Sequence, residues 1–144
     1  MMKKVVFSVV TVLALALLVS SCTFSVGVLP RIGETRWNYS ANIDGVNFLG
    51  FLAFGKRTNF TEVDGTLTQT VPVSLSSSFS GTLSKYQLVL APASLGGTEA
   101  IRFEGEFQNN KVATTISGKA YYTNDIEADP VVWVEGTWQG SIIP

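Results

Sequence analysis

Apolar and polar side chains alternate at every second position through most of the chain after residue 34, starting with Trp37, Tyr39, Ala41 and Ile43. This period is typical of antiparallel strands with one buried face, and no stretch here keeps helical spacing over three turns. The alternation predicts one all-β domain over residues 35–144. Its strands are expected near residues 35–43, 46–54, 58–63, 66–75, 79–91, 99–108, 111–123 and 131–143, the fifth being open to division at Ser84-Lys85.

The pair Asp44-Gly45 predicts a two-residue hairpin turn, because both residues tolerate the positive φ of a type I′ turn. This turn places Trp37 opposite Leu52, and the other inward residues of the two strands pair in the same register. The same register puts Leu49 and Phe51, both apolar, on the face away from the core. Either residues 24–32 fold back over this pair, or the pair forms a patch for a partner.

A second hairpin is predicted at Asn109-Asn110, since asparagine also tolerates positive φ. A two-residue loop there pairs Phe107 with Val112 and Phe103 with Ile116. The alternate positions Arg102, Glu104 and Glu106 then face water.

The first and last strands are expected to pair and close the sheet, because Trp37 lies near the start and Gly136-Thr137-Trp138 near the end. Val132 and Val134 are expected to face inward with Trp138. This arrangement is similar to the small up-and-down barrels of the lipocalin and avidin kind, the calycins, and implies an antiparallel barrel of about eight strands. A β-sandwich is the structural alternative.

Inward-facing aromatic residues are the candidates for a ligand site, and they are equally candidates for a filled core: Trp37, Tyr39, Phe103 and Trp138. A barrel of eight strands has room for side chains or for about one small ligand.

The first residues form a separate unit. A basic start at Lys3-Lys4 and an apolar run end in Val19-Ser20-Ser21-Cys22, which resembles the lipobox of bacterial lipoproteins. The resemblance implies that residues 1–21 are a signal peptide and that Cys22 carries acyl chains. Residues 22–34 would then tether the domain to a membrane of the bacterial cell envelope. In a bacterium with two membranes, this would be the outer membrane.

Composition excludes several functions. The sequence has no histidine and one cysteine, so it offers no His-based triad and no Cys cluster for zinc. The chain has a slightly negative net charge, which becomes more negative when Lys3 and Lys4 are removed with the signal peptide. A negative net charge argues against nucleic acid as a partner. The segment with Asp125, Glu127 and Asp129 is either a plain acidic loop or a set of calcium ligands.

These observations predict a non-enzymatic, lipid-anchored envelope protein with a structural or assembly role and no cofactor. Its expected partners are the membrane, through the acyl chains on Cys22, and another envelope protein. The alternative is a binding module whose barrel encloses a small apolar or amphiphilic ligand.

Overall fold

The computed structural model describes residues 31–57, 59–108 and 114–144. All the regular secondary structure in these ranges is β-strand, which confirms the all-β prediction. The nine strands are β1 Arg36–Ile43, β2 Val46–Phe54, β3 Glu62–Val71, β4 Leu75–Ser84, β5 Gln87–Leu90, β6 Ala93–Gly96, β7 Glu99–Phe107, β8 Thr115–Thr123 and β9 Val134–Ile143.

The strands form a closed antiparallel barrel rather than a sandwich. Each of β1 to β4 pairs with the next strand, β7 pairs with β8, and β8 pairs with β9. Pairing of β1 with β9, as predicted, places Ala41 opposite Trp138. Pairing of β5 with β7 closes eight strands, so most strands have partners on both sides.

Strand β6 is the extra, ninth strand, and it continues the path of β5 along β7. Leu88 of β5 lies opposite Gly105, and Ala93 of β6 lies opposite Ile101. The interruption between them falls at Ala91-Pro92, where proline has no N–H to donate to the ladder.

The hairpin at Asp44-Gly45 is confirmed. Asp44 has a φ of 51° and Gly45 a φ of 79°, as a type I′ turn requires. The register is also as predicted, with Trp37 opposite Leu52 and Ser40 opposite Leu49.

The middle strands have different bounds from those predicted. Strand β3 is continuous through residue 65, where two strands were expected, and the expected strand over 66–75 is broken at Pro72. Proline cannot donate a ladder hydrogen bond, so β3 ends at Val71 and β4 begins at Leu75. The division at Ser84-Lys85 is confirmed, and Lys85 has a φ of 55° in the turn.

The predicted register of the β7–β8 hairpin is wrong by four residues. Phe103 lies opposite Ala120 rather than Ile116, which pairs with Phe107. Asn109-Asn110 and Val112 lie outside the described residues. The sequence pattern permitted the error because an even shift leaves every side chain on the same face.

Two valines near the last strand are more exposed than predicted. Val132 precedes β9, which begins at Val134, and both side chains are exposed. Trp138, farther along the strand, is buried as expected. Alternation predicts the face of a strand that a residue occupies, but a residue at the end of a barrel has no further layer of side chains above it.

Candidate functional site

The four aromatic residues singled out in the sequence are all buried inside the barrel. The ring centroid of Phe103 lies 5.3 Å from that of Tyr39 and 4.8 Å from that of Trp138. Trp37 packs edge-on against Phe107 at 5.3 Å. These distances are those of favourable aromatic pairs, so the rings fill this part of the barrel.

Inward-facing glycines give the large rings their space. A Cβ added to Gly105 would lie 2.9 Å from Cζ2 of Trp138, and one added to Gly50 would lie 2.9 Å from Cε1 of Tyr39. Trp138 is also fixed by its Nε1, which donates to the backbone oxygen of Glu104 at 2.9 Å. The small residues of the barrel interior are therefore covered by aromatic side chains.

The apolar pair Leu49 and Phe51 lies on the outside of β2, as predicted. The guanidinium carbon of Arg36 sits 4.3 Å from the centroid of the Phe51 ring, which is half-buried. Leu49 is exposed in a shallow groove beside polar side chains of β1 and β9. Residues 24–30 lie outside the described residues, so the suggested covering segment stays a prediction, although Ile32 is fully buried in the core.

The acidic loop between β8 and β9 does not gather its carboxylates. Oδ1 of Asp125 accepts a hydrogen bond from the backbone N–H of Glu127 at 3.1 Å. Within the described ranges, no three His, Cys, Asp or Glu side chains lie close enough together to hold a metal ion. Asp125, Glu127 and Asp129 thus belong to a loop that is stabilised by the side chain of Asp125.

The cavity that the sequence reasoning missed lies at one mouth of the barrel, opposite the end at which the chain enters β1. This mouth cleft has a volume of about 510 Å³, within the range of small-molecule sites. The β1–β2, β3–β4 and β6–β7 turns surround it. Its apolar lining consists of Ile43, Val46, Phe48, Pro72, Val73, Leu95, Tyr122 and Val134.

Exposed valines form the rim of the mouth cleft. Val46, Val73 and Val134 are each substantially exposed. They lie in or beside turns and loops, where polar side chains are usual and apolar ones are not. The signal in the sequence was Val46 directly after Asp44-Gly45 and Val73 directly after Pro72.

The polar side chains of the mouth cleft are few. Gln69 is 2 % exposed, and its Nε2 donates to the backbone oxygen of Val73 at 3.0 Å. Its Oε1 is buried without a hydrogen-bond partner. Tyr122 donates from Oη to Oε1 of Glu99 at 2.9 Å, and its pKa is raised by burial and by this hydrogen bond.

Below the cleft, the hydroxyl of Tyr39 is also buried without a partner. Burial raises the pKa of this phenol well above its usual value, because the interior disfavours the charged form. The phenol therefore stays neutral at physiological pH.

No known protein family matches this chain, and no curated protein matches it either. The described residues also include no helix that is long and apolar enough to cross a membrane.

Proposed function

We propose that this protein is a lipid-anchored binding module that takes a small apolar molecule into the mouth cleft. The observation that carries the proposal is the cleft itself, an apolar hollow of about 510 Å³ with an exposed valine rim. Exposed apolar surface around a concave site is typical of ligand-binding sites. The filled interior below the cleft limits the ligand to the mouth.

The position at which the chain enters the barrel supports this function in an anchored protein. Acyl chains on Cys22 would hold the domain through the segment that leads into β1. Strand β1 starts at Arg36, at the end of the barrel away from the cleft, and reaches the cleft at Ile43. A tether at that end leaves the mouth accessible.

A structural or assembly role is the second candidate, and the exposed Leu49 on the outside of β2 favours it. In that case the protein would act through its outer surface, and the cleft would be incidental. The two candidates differ in which substitution removes function.

The experiment uses N-phenyl-1-naphthylamine, a neutral apolar fluorophore, with a chain that begins at Thr23. Emission should rise on binding. Val46→Trp should abolish the rise, because an indole at this rim position would occupy the cleft. Val89→Trp is the matched control, since Val89 is 43 % exposed, similar to the 47 % of Val46, but does not line the cleft.

If the wild-type chain does not raise the emission, or if the two variants bind the probe equally well, the binding proposal is wrong. Capture of an envelope partner that is lost in Leu49→Ser would then support the structural role.

A further inference from the structure

The polar side chains that line the mouth cleft offer mainly hydrogen-bond acceptors. These side chains are Asp44, Gln69, Glu99 and Tyr122. Two of them carry donors: one N–H of the Gln69 amide is used by the backbone oxygen of Val73, and Oη of Tyr122 is used by Glu99. What remains is one N–H of the Gln69 amide against two carboxylates and the unpartnered Oε1 of Gln69.

The unpartnered Oε1 is the most specific of these groups. A buried carbonyl oxygen without a hydrogen bond is unfavourable, so native proteins pair nearly all of them. The Val73 hydrogen bond holds the amide of Gln69 in one orientation, in which Oε1 has no partner within the protein. A ligand that brings a donor to this depth gains a hydrogen bond that the free protein lacks.

Charge at the mouth points the same way. None of the described residues that line the cleft is Lys or Arg. Beyond Asp44 and Glu99, the acidic loop with Asp125, Glu127 and Asp129 follows β8 at the same end of the barrel. An apolar carboxylate would meet only like charges here, whereas an ammonium group would be attracted.

We propose that the mouth cleft selects an apolar molecule that carries a protonated amine, and that it rejects apolar carboxylates. This inference rests on the proposed function and names its ligand class. An alcohol could pair with Oε1 of Gln69 but would gain nothing from the carboxylates, so it should bind with intermediate affinity.

The test compares three probes with one alkyl chain: octylammonium, 1-octanol and octanoate. The protein is used as its host processes it, held in phosphatidylcholine nanodiscs, and titrated calorimetrically at pH 7 and low salt against empty nanodiscs. We expect octylammonium to bind about tenfold more tightly than octanol, and octanoate about tenfold more weakly. High salt should reduce both differences.

Two double variants separate the cleft from net charge. Asp44→Asn with Glu99→Gln removes the two lining carboxylates and keeps an acceptor for Tyr122, so the three affinities should come within about twofold of octanol. Glu62→Gln with Glu106→Gln changes net charge equally at the other end of the barrel and should leave the preference intact. Gln69→Met should weaken octylammonium and octanol but not octanoate.

The outcomes distinguish the two proposals. If none of the probes binds beyond empty nanodiscs, or if Val46→Trp leaves their binding unchanged, the proposed function itself fails. If the probes bind in the cleft but octanoate equals octylammonium, the binding function stands and the ammonium preference is wrong. Equal loss of preference in both double variants would also overturn it.

Discussion

Phe103→Ala should strongly destabilise the domain, because Phe103 is 1 % exposed and lies between two other aromatic rings. Truncation of a buried phenylalanine costs about 3–5 kcal/mol, with the higher values at sites that cannot collapse. Here Trp138 is held by its hydrogen bond to Glu104, and Tyr39 covers Gly50. We therefore expect a loss of about 4–5 kcal/mol.

The assay is urea denaturation of a chain that begins at Thr23, monitored by tryptophan fluorescence. With a typical slope of about 2 kcal/mol per molar urea, the midpoint should fall by about 2 M. Such a loss is a large part of the total stability of a domain of this size, roughly 5–15 kcal/mol.

Two control substitutions match Phe103→Ala, one in the side chain that is removed and the other in its position on β7. Phe60→Ala removes the same side chain where it is 88 % exposed, and should change the free energy of unfolding by less than about 0.5 kcal/mol. Glu104→Ala, the next residue on β7, faces outward in a partly exposed pair with Arg102 and should also stay within about 0.5 kcal/mol. Equal losses at Phe103 and Glu104 would refute the assigned faces, and a loss below about 1 kcal/mol at Phe103 would refute a filled barrel centre.

Three further substitutions test other parts of the structure. Cys22→Ala should move the protein from the detergent phase to the aqueous phase of a Triton X-114 partition, and a mutant that stays with detergent would contradict lipidation. Gly105→Ala should cost about 1–3 kcal/mol in the same urea assay, because its Cβ would press on Trp138; no change would show that the ring has room to move. Tyr39→Phe should remove a pH dependence: the raised pKa of the folded phenol means that its stability contribution is complete below pH 10.0 and is lost as pH rises above it. Wild type should therefore lose more stability than Tyr39→Phe between pH 9 and 11, and parallel profiles would contradict burial of the phenol.

Local patterns were sufficient where one short signal fixed the geometry. Asp44-Gly45 set both the turn and the register of β1 with β2, because a two-residue type I′ turn leaves no alternative pairing. Period-two alternation likewise assigned Trp37, Tyr39, Phe103 and Trp138 to the interior.

The same patterns failed where several arrangements satisfied them equally. Phe103 faces inward whether it pairs with Ile116 or with Ala120, so only the packing of the whole barrel chose the register of β7 with β8. Alternation alone misplaces the end of β3, because the pattern continues through Pro72 although proline has no N–H for the ladder.

By itself, the sequence determined an all-β domain, the inward face of most strands and the pairing of its first and last strands. Only the tertiary structure decided that the aromatic side chains fill the middle of the barrel and that the cavity lies at its mouth. The cleft brings together Val46, Gln69, Leu95 and Tyr122 from four separate strands. Alternation sets the face on which a side chain lies, but the distance of that side chain from the end of the barrel depends on how all the strands are staggered.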